Sequence, residues 1–235
     1  MSRGSRLVIL GKQGAGKGTQ CVQLSRHYVV PHISTGDMFR AAMKAGTEMG
    51  KLAKTFVDDG NLVPDQVVIG IVAERLAERD ARSRGFILDG FPRTTHQATA
   101  LEKILLPMVI DAVIDLEVST ELVLQRLASR RVCSACGSNY SVQNPPASKW
   151  RCDHCGGEVI QRDDDREEAI QVRLDAYERQ TKPLIEFYSG RDLLETIDGA
   201  QPMDTVFDQC VALIDATCVL QRPVRPVFCG LRNPS

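Results

Sequence analysis

The sequence predicts an α/β fold in which a parallel sheet is covered by helices on both faces. Short apolar runs alternate with longer amphipathic segments along most of the 235 residues, and this alternation is typical of parallel sheets. A glycine-rich loop separates the first apolar run from the first amphipathic segment. A polar segment with two Cys-x-x-Cys pairs interrupts the alternation, so we interpret that segment as an insertion.

The first half of the chain supplies two buried strands and the helices between them. The first strand is RLVIL, from Arg6 to Leu10, and the second is GFILDG. Serine or threonine before a helix, proline in its first turn and glycine after its end mark the helix boundaries. The helices are expected from Lys17 to about Tyr28, from Ser34 or Thr35 to Gly46, over EMGKLAKTFVDDG up to Gly60, and from Pro64 with Val67, Ile71 and Leu76 on its apolar face.

The second half continues the same alternation around the cysteine-rich segment. A third strand is expected from Asp111 to Val118, and LLETIDG reads as the last strand. A final helix starts near Pro202 and places apolar residues on one face, whereas the proline-containing residues 219–235 have no period and are expected to form a flexible tail. The helices expected here are Thr95–Leu106, Glu121–Arg130, DREEAIQVRLDAYERQ, and the final one, with Val206, Cys210, Leu213 and Thr217 on its face.

Composition argues against partners that need a strongly charged surface. The formal net charge is −1, with 43% hydrophobic and 25% charged residues, so we expect no nucleic-acid partner and no membrane surface. The first apolar run is too short for a signal peptide or a membrane span, which predicts a cytoplasmic protein. Four of the eight cysteines lie outside the Cys-x-x-Cys pairs and are interpreted as packing thiols: Cys21, Cys210, Cys218 and Cys229.

GKQGAGKGT, which follows the first strand and opens a helix, has the context of a phosphate-binding loop. Backbone N–H groups and the helix N-terminus would surround phosphate oxygens, and the lysine would reach the terminal phosphates. The core is therefore expected to be of the P-loop NTPase type. Gly18 stands where the magnesium-binding hydroxyl usually lies, so Thr19 and Asp89 are expected to hold Mg²⁺ through water; a turn-capping role for Asp89 is equally compatible. The loop residues expected to bind the phosphates are Gly14, Ala15, Gly16, Lys17, Gly18 and Thr19.

The two Cys-x-x-Cys pairs predict a structural zinc site. Four thiolates fill a tetrahedral shell and leave no position for water or substrate, and soft ligands favour zinc, with iron as an alternative. His154 is a substitute ligand with poorer spacing, disulfides are disfavoured inside a cell, and a nucleic-acid-binding ribbon using Lys149, Trp150 and Arg151 is the functional rival. The expected ligands are Cys133, Cys136, Cys152 and Cys155.

GAGKGT, STGD, LDGFPRT and the RDDD…R run occur in this order, and the chain resembles adenylate kinases of the long-lid bacterial type from about Arg6 to Ile214. Gln13 departs from the family pattern, which usually has proline there. The resemblance implies the reversible reaction Mg·ATP + AMP ⇌ 2 ADP, by an enzyme that needs only one subunit. It also implies a core of residues 1–33, 64–130 and 164–218, a mobile AMP-binding insert at 34–63 and a mobile zinc-ribbon lid at 131–163.

The resemblance also assigns functional residues. Transfer between phosphates requires positioning and charge neutralisation, which arginine provides by bidentate contacts. Arg126 and Arg130, four residues apart, are expected to share a helix face. The aspartates at 163–165 form either a solvated helix start or a hinge contact to one of these two arginines. The implied catalytic residues are Lys17, Arg93, Arg126, Arg130, Arg162 and Arg173. Besides the phosphate loop, the residues implied to contact ATP are Arg130, Asn139, Tyr140 and Gln201. The residues implied to contact AMP are Thr35, Arg40, Asn61, Leu62, Val63, Gly90, Phe91, Pro92, Arg93, Gln97, Arg162 and Arg173.

Two alternative functions remain compatible with these motifs. Another nucleoside monophosphate kinase would accept UMP, CMP or GMP, although by resemblance Thr35 favours adenine. A zinc-ribbon binding protein that uses nucleotide only as a switch would hydrolyse ATP slowly and would not depend on AMP.

Overall fold

The computed structural model describes residues 5–57, 61–162 and 165–220. Five strands form a parallel sheet in the order β2-β3-β1-β4-β8, and three strands form a separate antiparallel sheet in the order β6-β5-β7. The strands are β1 Arg6–Gly11, β2 His32–Ser34, β3 Phe86–Asp89, β4 Ala112–Glu117, β5 Arg130–Cys133, β6 Asn139–Ser141, β7 Val159–Ile160 and β8 Leu194–Asp198.

Helices connect the parallel strands, as the alternation of the sequence predicts. A π-helical turn, Tyr177–Thr181, follows the helix after the small sheet. The helices are α1 Lys17–Tyr28, α2 Thr35–Lys44, α3 Glu48–Val57, α4 Asp65–Ala77, α5 Arg79–Arg84, α6 Thr95–Leu105, α7 Thr120–Ser129, α8 Glu167–Ala176, α9 Pro183–Ser189 and α10 Met203–Leu220.

Most expected elements are present, and some of their boundaries differ. Ser34 caps α2 by accepting a hydrogen bond from Asp37 N. The helix expected to reach Arg130 ends at Ser129, because Arg130 has extended backbone (φ −63°, ψ 137°) and begins β5. The last helix runs two residues beyond the expected boundary at residue 218. The rest of the expected tail, and Gly60, lie outside the described residues.

The parallel sheet separates two apolar clusters, one on each face. In β1, Val8 and Leu10 belong to one cluster, and Leu7 and Ile9 belong to the other. Since successive side chains of a strand point to opposite faces, the clusters lie on opposite sides of the sheet. This arrangement explains why the strands read as continuous apolar runs, and it confirms the predicted α/β fold.

A buried ion pair lies at the amino end of the sheet. Arg6 is 5% exposed and Asp111 is also 5% exposed. Arg6 N donates to Asp111 Oδ2 at 2.7 Å, and the guanidinium donates to both carboxylate oxygens at 3.1 and 3.0 Å. Asp111 therefore fixes the start of β1 beside the segment that leads into β4.

The small antiparallel sheet has little apolar core. Its cluster contains Cys133, Cys152 and Val159, with Tyr140 packed against them. Burial of so few side chains contributes little free energy of folding, so other interactions must hold this segment. Among the described residues, no helix combines the length and the apolar character that crossing a membrane requires.

Candidate active site

The loop between β1 and α1 lies at the carboxyl end of the parallel strands. Gly14 and Gly16 have φ angles of 83° and 99°, a region that side chains with a Cβ disfavour. Gly16 is the N-cap residue of α1, so free N–H groups of the first turn face the loop. The loop therefore presents backbone donors and the positive end of a helix dipole to an anion.

Lys17 lies inside this loop. Its Nζ donates to Gly11 O at 2.7 Å and to Lys12 O at 2.8 Å. Burial lowers the pKa of Lys17 to about 8, with the nearby Asp89 carboxylate opposing the shift. At neutral pH the side chain is thus mostly charged, and a partly desolvated ammonium is held where phosphate would lie.

Asp89 ends β3 next to the first turn of α1. Its Oδ2 is 3.3 Å from His32 Nε2. Burial disfavours ionisation of Asp89, but the hydrogen bond to His32 and the charge of Lys17 together hold its pKa below the usual value. A Cβ at position 18 would lie 3.4 Å from Asp89 Oδ2, at ordinary contact distance, so the first turn of α1 packs beside this carboxylate.

A second group of polar side chains surrounds the loop after β3. Thr35 Oγ1 donates to Gly90 O at 2.9 Å, and Arg93 Nε donates to the same oxygen at 2.9 Å. Gln97 is buried; its Oε1 accepts from Arg93 N at 2.8 Å, and its Nε2 donates to Asp65 Oδ1 at 2.7 Å. Gln97 is therefore enclosed by hydrogen-bond partners and is not an exposed residue of α6.

Besides Arg93, three more arginines of this region have described carboxylate or carbonyl partners: Arg40, Arg126 and Arg130. Arg40 pairs with Asp37 within α2. Arg126 Nη1 donates to Gly199 O at 3.0 Å and lies 3.5 Å from Ala15 O in the phosphate loop. Arg130 Nε donates to Asp165 Oδ2 at 2.7 Å, and its Nη2 bonds to the other oxygen of that carboxylate. The sequence left open whether an aspartate of 163–165 contacts Arg126 or Arg130, and Asp165 contacts Arg130.

These groups face one cavity of about 1480 Å³. Pockets for one drug-sized ligand hold about 300–1,000 Å³, so the space suits two nucleotides better than one. All expected nucleotide contacts line this cavity except Phe91. The side chain of Phe91 is instead fully buried in an apolar cluster. The cavity is lined by Gly14, Ala15, Gly16, Lys17, Gly18, Thr19, Thr35, Arg40, Asn61, Leu62, Val63, Asp89, Gly90, Pro92, Arg93, Gln97, Arg126, Arg130, Asn139, Tyr140, Arg162, Arg173 and Gln201.

The four cysteines of the two Cys-x-x-Cys pairs meet in the small sheet. All four sulfur atoms lie within 4.8 Å of one another, with the Cys133–Cys155 and Cys136–Cys152 sulfurs each 3.5 Å apart. His154 is exposed and is not a member of this cluster. The Cys133 sulfur also accepts hydrogen bonds from two backbone N–H groups, as metal-bound thiolates do.

Tyr140 connects the cysteine cluster with the cavity. It lines the cavity, and its hydroxyl donates to Cys152 Sγ at 3.4 Å and accepts from Asp153 N at 2.9 Å. Asn139 precedes it in β6 and is exposed. The hydroxyl of Tyr140 is therefore engaged in the small sheet, and its ring is the part that lies near a cavity ligand.

The segment of the small sheet also contacts α2, the helix that begins within the STGD motif. Lys44 Nζ, at the end of α2, donates to Ser134 O at 3.4 Å. Ser134 lies within the first Cys-x-x-Cys pair. The two segments that enclose the cavity from opposite sides therefore meet directly.

Sequence reasoning missed two side chains that organise the site, His32 and Asp65. His32 bonds to Asp89, and Asp65 accepts from Gln97 and from Thr94 Oγ1 at 2.7 Å. Asp165, which pairs with Arg130, was considered only as one of two alternatives. These residues contact functional side chains that are distant in the sequence, and a local pattern does not reveal such pairs.

Comparisons with known proteins match almost the whole chain. A family model described as adenylate kinase matches residues 9–193. Proteins named adenylate kinase from Bacillus cereus (strain AH187) and Desulfitobacterium hafniense (strain DSM 10664 / DCB-2) are each 54% identical, over 211 and 209 residues, and one from Bacillus cytotoxicus is 52% identical over 211 residues. Each alignment covers 88% of this chain and 96% or 97% of the relative.

Proposed function

The chain belongs to the adenylate kinase family, and we propose that its central cavity carries out Mg·ATP + AMP ⇌ 2 ADP. One observation carries this proposal. The phosphate loop and the polar groups around Thr35 and Arg93 line the same cavity, so a donor and an acceptor nucleotide can meet with their phosphates between them. Thr35 at the base end of the acceptor region favours AMP over other monophosphates, as the resemblance implies.

The phosphate loop would hold the donor nucleotide. Backbone N–H groups of residues 14–19 and the N-terminus of α1 offer donors for phosphate oxygens. Lys17 donates to two loop carbonyls, Gly11 O and Lys12 O. We infer that phosphate replaces these carbonyls as its partner, and that its charge neutralises negative charge as the phosphoryl group moves.

The arginines would position the phosphates of both nucleotides. Arg40 and Arg93 lie on the acceptor side, and Arg126 approaches the phosphate loop. Arg130, Arg162 and Arg173 also line the cavity. An acceptor phosphate is already ionised and needs no protein nucleophile, so fixed guanidinium groups supply what the reaction requires, which is alignment and charge.

The donor set fits magnesium bound together with ATP. Asp89 is ionised and lines the cavity with Thr19, and hard oxygen ligands suit Mg²⁺, which keeps several waters. We propose that both residues hold the ion through those waters. Thr19 and Asp89 would hold the ion, and its positive charge would offset the negative charge of the phosphates.

The four thiols fit a structural zinc ion. Four sulfurs within 4.8 Å of one another can fill a tetrahedral shell, which leaves no position for substrate. The small apolar cluster of this sheet is consistent with a segment that depends on metal for its stability.

We propose that residues 131–163 act as a metal-stiffened lid and residues 34–63 as an AMP-binding insert, both moving on the core. The monomeric state and the cytoplasmic location stay predictions from the sequence.

The experiment that tests this proposal is a coupled assay of ADP formation with and without AMP. The Lys17→Met variant should lose turnover, because phosphate charge is no longer neutralised. Lys182→Met is the matched control, since its exposed ammonium pairs with Glu178 on the surface. Near-normal ADP formation by Lys17→Met would contradict the assignment of the phosphate loop. A panel of UMP, CMP and GMP tests the choice of acceptor.

A further inference from the structure

Cys21, His32 and Asp89 come together beside the phosphate loop, although the sequence separates them widely. Their donor atoms, one sulfur, one nitrogen and one oxygen, all lie within 4.8 Å of one another. Cys21 is fully buried, whereas His32 and Asp89 line the central cavity. The cluster is therefore closed by protein on the Cys21 side and open to the nucleotide cavity on the other.

The fold brings these residues together through three elements. In α1, Cys21 lies four residues after Lys17 and so on the same helix face, which is the face that approaches Asp89. In the sheet, Ser34 of β2 is paired with Asp89 of β3. His32 lies two residues before Ser34 and projects from the same face of the strand. One helix and two paired strands thus place the three donor atoms close together.

The donor set has the composition of an open metal site. Zinc sites with three protein ligands keep a fourth position for water or substrate, and cysteine, histidine and carboxylate all serve as ligands. Bonds of about 2.0–2.3 Å would draw the three donors slightly closer than they now are. We propose that Cys21, His32 and Asp89 form a second metal site, which takes a thiophilic divalent cation such as Zn²⁺ or Co²⁺. Binding would release the Cys21 thiol proton to solvent as the thiolate forms its bond to the metal.

The site has a consequence for the enzyme, and this part rests on the proposed role of Asp89 toward magnesium. The Asp89 carboxylate would be a ligand for two cations that prefer different donor atoms. The soft ion gains the thiolate and the imidazole, whereas Mg²⁺ gains only oxygen ligands and arrives with nucleotide. Thiophilic ions in excess of the lid metal should therefore compete with Mg·ATP and inhibit the enzyme.

The binding test uses Co²⁺ on the full-length, zinc-loaded protein without nucleotide. Cobalt gives a thiolate charge-transfer absorption that zinc lacks, and it binds thiolates less tightly than zinc. We expect about one cobalt ion per chain in addition to one retained zinc ion, with the absorption band of a thiolate ligand. Cys21→Ala should lose the band. Cys210→Ala is the matched control, because Cys210 is also a fully buried thiol near Cys21.

Several results would overturn the second site. They are the absence of extra cobalt, a band that persists in Cys21→Ala, and cobalt uptake matched by an equal loss of zinc from the lid. Melting curves check that each variant is folded, and Cys21→Ser serves if the alanine variant is unstable, since a serine hydroxyl gives no thiolate band.

The competition test adds saturating Mg·ATP without AMP. The apparent affinity for cobalt should fall by at least about tenfold in the unmodified enzyme. If cobalt binds with the expected spectrum but Mg·ATP leaves its affinity unchanged, the second metal site stands and the competition through Asp89 is refuted. If cobalt does not bind while ADP formation still requires AMP, the further inference fails and the proposed function survives.

Discussion

Asp165→Asn removes one charge from the ion pair between Asp165 and Arg130 while it preserves the shape of the side chain. Asp165 is 2% exposed and accepts hydrogen bonds from both Nε and Nη2 of Arg130. A guanidinium has five N–H donors, so three remain for a ligand in the cavity. The carboxylate should therefore position Arg130 for phosphate and should not compete with phosphate for it.

The magnitude follows from this geometry. Asparagine keeps one acceptor oxygen and turns an NH₂ group toward the guanidinium, so one of the two hydrogen bonds is lost. A hydrogen bond to a charged group contributes about 1.5–3 kcal/mol. Arg130 keeps some solvent contact, with 19% of its side chain exposed, so we expect a loss of about 2 kcal/mol in the free energy of unfolding. A misplaced phosphate contact of about 1 Å costs up to about 100-fold in rate, and we expect kcat to fall about 10–100-fold.

The assay combines steady-state ADP formation with a double-mutant cycle. Arg130→Met alone should reduce kcat at least as much as Asp165→Asn alone. In the Arg130→Met background, adding Asp165→Asn should change kcat by less than about threefold, because the two residues act as one unit. Asp175→Asn is the control, since Asp175 is exposed on α8, the helix that follows Asp165, and its side chain accepts from Gln171.

One outcome would refute the positioning argument. If Asp165→Asn leaves kcat unchanged and tightens ATP binding, the carboxylate competes with phosphate for Arg130. The ion pair would then oppose binding of phosphate by Arg130 and would not position Arg130 for it.

Three further predictions concern metal, packing and pH. Cys133→Ser should lose the lid metal and lower Tm while ADP formation persists at low temperature; metal analysis and calorimetry test this, and lost catalysis in an intact fold would contradict a structural metal. Asp111→Ala should cost about 3–5 kcal/mol in urea unfolding, because it leaves the buried Arg6 charge unpaired; a loss below about 1 kcal/mol, as for a surface pair, would contradict this. Burial, and then the charge of Glu117, raise the pKa of Asp115, so its ionisation in the unfolded chain costs stability as pH rises above about 4. Asp115→Asn should therefore be more stable than the parent at pH 7 and equal to it near pH 3, and a difference independent of pH would contradict that.

The sequence was sufficient where a local pattern and a physical requirement coincide. RLVIL followed by a glycine-rich loop predicts a buried strand, a phosphate loop and a helix, and the structure has β1, the loop and α1 in those places. The cysteine spacing likewise predicts four sulfurs at one point, and they meet there. Each of these signals lies within about twenty-five residues of chain and needs no knowledge of distant partners.

The sequence was insufficient where a distant partner decides the structure. Strand β2 has three residues, His32–Ser34, too few for a period, and it exists because β3 pairs with it. Arg130 continues a helical pattern but becomes extended, where it pairs with Ser141 of the small sheet. Its bond to Asp165 joins residues 35 positions apart, across the whole insertion. Such contacts are determined by packing of complete elements and not by local propensity.

The hydrogen bond from Lys44 to Ser134 O has a consequence for the order in which substrates are captured. If the AMP-binding insert and the lid move as proposed, this bond forms only when both are closed, so closure of either segment lowers the free energy of closing the other. Affinity for each nucleotide should then rise in the presence of its partner, and thermodynamic linkage requires the two enhancements to be equal. The insert and the lid would therefore close most completely when ATP and AMP are both bound. With ATP alone, closure would be less favourable and the phosphates of ATP would be less well shielded from water.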